Sequence, residues 1–194
     1  MINIDIFIVF IYSYFLGSVP FGLVLTKIFL NKDIRNVGSG NIGTTNVLRT
    51  GKKTLAVATL LLDSLKGYAS VIISLIYFND LVFLSALICF IGHIFPIWLY
   101  FKGGKGVAVY LGIIMALSFP LAIIFGITWV IIAFIFKYSS LSSLIGSLTV
   151  LLYSFLTNDY PLSFFLFIIF IIILFTHRGN IRRLKNSEEN KIKL

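Results

Sequence analysis

Seven stretches of this chain hold almost nothing but apolar side chains, and most of them are long enough to cross a bilayer. They run over about 4–26, 54–78, 81–100, 106–119, 120–136, 141–157 and 160–177. A helix needs roughly 20 apolar residues to traverse the hydrocarbon core, within a range of about 17–25. Inside that core every backbone N–H and C=O must be satisfied by the chain itself, which favours helices for runs of this length. The expected fold is all-α: a polytopic membrane protein, one transmembrane helical domain over residues 1–194. The stretches 106–119 and 120–136 are short, and hydropathy alone leaves open whether they are two spans or one long one.

Charge placement bears on that choice. Lys and Arg in short loops accumulate on the cytoplasmic side. Here they fall in 27–53 (Lys27, Lys32, Arg35, Arg49, Lys52, Lys53), at Lys102 and Lys105, at Lys137, and in the tail (Arg178, Arg182, Arg183, Lys185, Lys191, Lys193). The other helix ends hold Asp5, Asn79-Asp80 and Asn158-Asp159, with no basic residue. If every basic segment is cytoplasmic, two crossings must lie between Lys105 and Lys137. Pro120 then sits at an outer turn, where its missing N–H costs little. This gives seven helices, N-terminus outside and C-terminus inside, with two short helices that tilt little or thin the bilayer. The basic tail, about 182–194, is expected to extend the last helix. The first apolar stretch lacks a basic leader and a small-residue cleavage site, so it is expected to be a retained span.

Composition narrows the function. With 59% hydrophobic and only 12% charged residues, a soluble domain of 194 residues has nowhere to hide its apolar surface. The net charge of +9 is confined to short loops and the tail, which argues against nucleic acid and for anionic lipid or an anionic substrate. Cys89, the single cysteine, lies in an apolar run and has no disulfide partner. No cluster of metal-ligand side chains is present, and neither a metal nor a cofactor is expected. Neither His93 nor His177 has an Asp four or five positions on, and no Gly-x-Ser-x-Gly elbow occurs. Acyl transfer by this chain would need an already activated donor and electrostatic positioning.

The polar residues gather in four clusters at helix ends assigned to one side. Residues 35–49 contain Gly38, Ser39, Gly40, Asn41, Gly43, Thr44, Thr45, Asn46 and Arg49. Glycines let backbone amides approach an anion, and Arg49 can grip phosphate with two parallel bonds. A flexible polar connector has the same composition, and no Lys-Ser/Thr follows the last glycine as in a Walker loop. Lys102-Gly103-Gly104-Lys105-Gly106 joins two ammonium charges to a helix N-terminus, a phosphate seat or a positive-inside anchor. The serines at 139, 140, 142 and 143 can cap a helix. His177 and Asn180 lie three apart, on one helical face. Within the spans, Asp63 and Lys66 read as an ion pair facing the bundle, and His93 as bonding a neighbouring helix or the basic loop. A small transporter or anion channel would need polar residues across the whole bilayer; a membrane-anchored interaction protein would leave the glycine clusters unexplained.

Taken in order, Gly17-Ser18-Val19-Pro20-Phe21-Gly22, Gly38 through Asn46, Asp63-Ser64-Leu65-Lys66-Gly67, Gly92-His93-Ile94-Phe95-Pro96 through Lys102 to Ala108, and His177-Arg178-Gly179-Asn180-Ile181 resemble the bacterial membrane glycerol-3-phosphate acyltransferases that use acyl phosphate. The resemblance covers about residues 12–185. It implies a seven-helix bundle in the bacterial inner membrane with a cytoplasmic active site. The implied reaction transfers a fatty acyl group from acyl phosphate to the sn-1 hydroxyl of glycerol 3-phosphate. Products are 1-acylglycerol 3-phosphate and phosphate, and no acyl thioester serves as direct donor. By motif, Lys105, Ser39 and His177 would be catalytic. Arg49, Asn41, Thr45, Asn46, Lys102, Gly103, Gly104, Ser143 and Asn180 would bind substrate. Partners implied are the two substrates, membrane lipids and a soluble acyl-phosphate synthase. Val109 stands where Thr is common, and Gly179 where Glu is common; the resemblance thus implies one hydroxyl fewer in the site and a looser tail helix.

Overall fold

The apolar runs do fold as helices, and small residues decide how closely those helices approach. In this computed structural model, residues 4–192 are described, so Lys193 of the basic tail lies outside the described residues. Two compact units divide between Leu117 and Ser118, and no strand occurs among the described residues.

The first unit begins with α1 (Ile4–Ser18) and α2 (Phe21–Leu30), separated at Pro20, whose lost N–H interrupts the helical ladder. A short α3 (Thr44–Leu48) precedes the long α4 (Lys53–Tyr77). Then come α5 (Val82–Ile94) and α6 (Val107–Leu117). Two helix pairs close through reciprocal glycines. A β-carbon on Gly17 would strike the Cys89 carbonyl, and one on Gly92 would meet the Tyr14 carbonyl and, at 3.1 Å, the Ser18 nitrogen, so α1 lies directly on α5. Gly67 faces the Val109 carbonyl and Gly112 the Ser64 carbonyl, so α4 lies equally close to α6. In lipid, where apolar burial drives little association, such backbone approach supplies the packing. Between α1, α4 and α5, Ser85 Oγ bridges Tyr12, Ser13 and Ser70 at 2.9 Å each, so buried hydroxyls satisfy one another.

The second unit holds α7 (Phe119–Phe136), α8 (Ser139–Ser154), α9 (Tyr160–Thr176) and α10 (Arg178–Lys185). Pro120 stands in the first turn of α7, where no N–H is needed. Asp159 caps α9 by accepting from the Leu162 N–H at 3.0 Å. The buried face of α8 is lined by Ser140, Ser142, Ser143, Ser147 and Ser154. Ser142, Ser143 and Ser147 each return a hydroxyl to the carbonyl four residues back, which lets them sit in an apolar setting.

Residues 106–136 form two helices, not one: Ser118 is extended, at φ −160°, and interrupts them. Among the described residues, five helices are long and apolar enough to cross a membrane, or up to six if α9 and α10 count as one bent span. Helix α6, at 11 residues, is shorter, because the glycine segment before it stays out of helix until Gly106 turns at φ +86°. The tail departs from expectation. It does not prolong α9: the helix breaks at His177 and α10 leaves at 60°. The chain then folds back, and Ile192 N–H donates to the Lys137 carbonyl at 2.7 Å. The serines of 139–143 do not cap α8 either; Tyr138 holds that position without a side-chain bond.

Candidate active site

In the first unit, the two glycine-rich basic loops share one apolar floor. Leu23 of α2, Ile34 and Ile42 of the first loop, Val47 of α3, Ala56 of α4 and Leu99 of the turn before Lys102 form a single buried cluster. Burial of those six side chains seats the first loop against Leu99, in the turn that leads into the second loop, so two of the clusters singled out in the sequence adjoin one core.

The first loop is organised by Asn46. Its side chain is 2% exposed. Its amide nitrogen faces the carbonyls of Ile34, Val37 and Asn41 at 3.0, 2.9 and 2.7 Å, and its oxygen accepts from Ser39 N–H at 3.0 Å. The amide thereby holds the loop's own backbone. Gly38 and Gly40 turn at φ +55° and +71°, in the left-handed region that glycine tolerates without strain. A β-carbon on Gly38 would also meet the Asn46 oxygen and come within 2.9 Å of Arg49 Cδ, so that glycine makes room for the Arg49 side chain. Asn41 accepts from Gly43 N–H at 2.9 Å. Ser39 is exposed at the loop's tip, while Thr45 and Arg49 are half-buried. Beside the loop, the Arg35 guanidinium hydrogen-bonds Asp33 and holds its carboxyl down to about 2, against the opposing effect of burial. The arginine is pushed up in return.

The second loop folds back onto the end of α5. Gly103 N–H donates to the Ile94 carbonyl at 3.0 Å and Gly104 N–H to the His93 carbonyl at 3.1 Å. A β-carbon on Gly103 would strike that His93 carbonyl, and one on Gly104 would strike the His93 ring at Nε2. Packing therefore requires both glycines. Lys102 is exposed and Lys105 half-buried. Behind the loop lies a buried polar group. Lys66 Nζ, 2.7 Å from Asp63 Oδ1, also reaches the Val19 carbonyl at 2.7 Å and His93 Nδ1 at 2.9 Å. The contact to Asp63 is an ion pair rather than an aligned hydrogen bond, since Oδ1 accepts none. Both expectations for these residues hold: Asp63 pairs with Lys66, and His93 meets a neighbouring helix as well as the basic loop.

In the second unit, Ser143, His177 and Asn180 are all buried. Ser143 Oγ donates to the Ser139 carbonyl at 2.8 Å and accepts from Trp129 Nε1 at 3.1 Å. His177 Nδ1 lies 2.9 Å from the Ile173 carbonyl. A carbonyl only accepts, so Nδ1 holds a proton, and in the neutral ring Nε2 has the lone pair. Asn180 Nδ2 donates to Glu189 Oε1 at 2.6 Å, which also accepts from Ser140 at 2.8 Å; Arg183 Nε reaches Oε2 at 2.7 Å. Burial alone would raise the Glu189 carboxyl, but these donors outweigh it and hold it below its usual range. Sequence reading missed Glu189. The available signal was an acidic pair, Glu188-Glu189, inside an otherwise basic tail.

Among the described residues, no group of three or more His, Cys, Asp or Glu side chains is arranged to hold a metal ion.

A family model described as glycerol-3-phosphate acyltransferase matches residues 7–187. A glycerol-3-phosphate acyltransferase of Pelagibacter ubique is 53% identical over 187 residues, covering 96% of this chain and 97% of that protein. One from Brucella anthropi is 45% identical over 185 residues, covering 94% and 90%. Among solved structures, a crystal structure of PlsY (YgiH), an integral membrane glycerol 3-phosphate acyltransferase in its glycerol 3-phosphate form, superposes with a TM-score of 0.92 at 34% identity, covering 97% of this chain and 96% of that one. Its lysophosphatidic acid form gives 0.89. From these matches over nearly its whole length, the chain belongs to the glycerol-3-phosphate acyltransferase family.

Proposed function

We propose that this protein transfers a fatty acyl group from acyl phosphate to the sn-1 hydroxyl of glycerol 3-phosphate, releasing 1-acylglycerol 3-phosphate and inorganic phosphate. The observation behind this reading is the pair of glycine-rich basic loops seated on one floor in the first unit. The relatives named for glycerol 3-phosphate supply the acceptor. The donor is the one implied by the resemblance to the acyl-phosphate-dependent family; with no Gly-x-Ser-x-Gly elbow and no His-x4-Asp motif the acyl carbon must arrive activated, and a mixed anhydride meets that need.

The hydroxyl oxygen attacks the acyl carbonyl carbon, the carbon–oxygen bond to phosphate breaks, and the electron pair leaves on phosphate. The hydroxyl proton goes to a phosphate oxygen of the substrates. His177 is the competing acceptor, because its Nε2 is the lone-pair nitrogen. The protein's task is to hold two anions together against their repulsion. Lys105, Lys102 and Arg49 supply charge, and loop amides with the Ser39 hydroxyl supply donors. Asn41, Thr45 and Asn46 shape the first loop; Gly103 and Gly104 shape the second. Ser143, His177 and Asn180 complete the assignment in the second unit. The acyl chain lies among apolar helices.

The same reading includes one transmembrane domain over residues 1–194, seven crossings, an outer N-terminus, and a site facing the cytoplasm of the bacterial inner membrane. A soluble acyl-phosphate synthase is the proposed supplier of the donor. Purified protein supplied with labelled acyl phosphate should form labelled 1-acylglycerol 3-phosphate and release phosphate, while acyl thioesters should not react. Lys105→Ala should lose activity by at least about 100-fold, the scale for removing one donor to developing charge. Near-normal rates in a folded Lys105→Ala protein would end the scheme. Full activity in His177→Gln would remove His177 as the proton acceptor and leave the rest. Engineered cysteines near 40, 104 and 179 should all react from the cytoplasmic side.

A further inference from the structure

The buried polar group behind the second loop is more than an ion pair. We propose that Asp63, Lys66 and His93 form a strut that fixes the Gly103–Gly104 backbone, and that they are positioning residues for Lys105. The inference rests on the reading of Lys105 as an anion-binding group.

The geometry follows from the hydrogen-bond capacity of an ammonium. Lys66 Nζ donates to the Val19 carbonyl at 2.7 Å and to His93 Nδ1 at 2.9 Å, while Asp63 Oδ1 at 2.7 Å neutralises its charge as an ion pair. Two hydrogen bonds and one ion-pair contact set its place. Because the ammonium donates, His93 Nδ1 accepts, and the ring proton sits on Nε2. One bond to Nδ1 fixes the ring's rotation about its side-chain axis. The opposite edge of the ring, Nε2 and its neighbouring carbons, lies where a β-carbon of Gly104 would stand. The main chain of the same residue grips the same target, since the His93 carbonyl takes the Gly104 N–H at 3.1 Å. Gly104 is thus located both by the ring and by the carbonyl of His93, and Lys105 is the next residue.

Stability alone is a poor reason for this arrangement. The Lys66 and Asp63 side chains are 1% and 2% exposed. A buried ion pair is often no more stabilising than apolar side chains of equal volume, while it fixes orientation. Here the orientation reaches a loop at which two anions are to be held, and a displacement of about 1 Å at such a place can cost on the order of 100-fold in rate.

The test uses the full-length purified protein in detergent. KM and kcat for both phosphate-bearing substrates are read together with thermal unfolding. His93→Phe keeps a ring but removes the acceptor for Lys66. It should raise KM for at least one substrate about tenfold, read well below an unfolding temperature that the unsatisfied ammonium also lowers. His93→Asn, whose amide oxygen takes the place of Nδ1, should recover most of that loss. Gly104→Ala should raise KM as well, and His93→Ala placed in the same chain should restore part of it, because the methyl then occupies space the ring has left. A strut thus predicts non-additive effects at 93 and 104. If His93→Phe does not accumulate folded, the Gly104→Ala and His93→Ala/Gly104→Ala pair decides. Additive effects, or unchanged KM values in a His93→Phe protein, overturn the strut while a strong Lys105→Ala defect keeps the site. Near-normal activity of Lys105→Ala overturns both.

Discussion

The two units hold their polar groups in place by opposite means. In the unit ending at Leu117, backbone meets backbone: Gly17, Gly22, Gly67, Gly92, Gly103 and Gly112 each lie so close to a neighbouring carbonyl that a β-carbon would collide with it. In the unit beginning at Ser118, the glycines are looser. Gly126 has open space around it, and Gly146 faces an aromatic ring edge at 3.0 Å. Three of its polar groups, Ser140, Asn180 and Arg183, are tied by one side chain, Glu189. A site carved in backbone tolerates no added volume but is indifferent to single charges at its edge. A site tied by a carboxylate tolerates volume but depends on one ionised group.

The sharpest way to break this contrast is to add a methyl group to each unit. Gly112→Ala puts a β-carbon into the Ser64 carbonyl and within 2.9 Å of Tyr68 N. Helix backbone cannot swing aside as a side chain does, so the cost should be about 3 kcal/mol or more, the upper end for overpacking. Gly126→Ala meets nothing within 4 Å and should gain about 0.5–1 kcal/mol from helix propensity. Thermal unfolding of the two purified variants checks this. Equal tolerance of both would mean that close glycine contacts do not govern the first unit.

Next in size is the loss of the carboxylate. Glu189→Ala leaves Asn180, Ser140 and Arg183 without their shared acceptor, and a hydrogen bond to a charged group is worth about 1.5–3 kcal/mol. We expect about 2 kcal/mol of destabilisation after relaxation, together with lower activity, because Asn180 loses its anchor. Glu189→Gln keeps an acceptor oxygen and should fall between. Acidification gives a milder version of the same experiment. The Glu189 carboxyl is held below its usual range despite burial, so its contribution is fully present above the ordinary carboxylate range and is lost as pH falls through the lowered value. Unfolding temperature followed from neutral to acid pH should drop less steeply in Glu189→Gln than in the parent.

Much of this was legible from residues alone, for a physical reason. Span positions follow from local hydropathy, so the expected stretch 54–78 is the helix Lys53–Tyr77, and 120–136 is Phe119–Phe136. Asp63 and Lys66 stand three apart on one helix, and their pairing needs no knowledge of the fold. Their third partner, His93, lies on another helix 27 positions away, and only packing brings it there. The bend at His177 has no proline to announce it. Glu189 looked like one more polar residue in a tail, because the groups that bind it are spread over 140, 180 and 183. Charge parity puts the two basic loops on one side, but their common floor requires Leu99 to meet Leu23 and Ile34, which no local pattern encodes.

The smallest effect should come from the first unit's own Arg–carboxylate pair, and its smallness is the point. Arg35 Nη2 meets Asp33 Oδ2 at 2.6 Å with side chains 44% and 22% exposed, whereas the Arg183–Glu189 pair has its carboxylate 6% exposed. Both carboxyls are lowered, yet water screens the first. Asp33→Asn should therefore cost no more than about 0.5 kcal/mol, in the range of exposed pairs. The amide oxygen can still accept from Arg35 N–H, which Asp33 now does at 3.0 Å. The pair's contribution should be present above the ordinary carboxylate range and fade as pH falls through about 2, and added salt should shrink it. A double-mutant cycle on each pair in low and high salt measures the difference. If the 33–35 coupling equalled the 183–189 coupling and resisted salt, the first unit too would depend on a charge at its edge, and the contrast between backbone-carved and carboxylate-tied halves would fail.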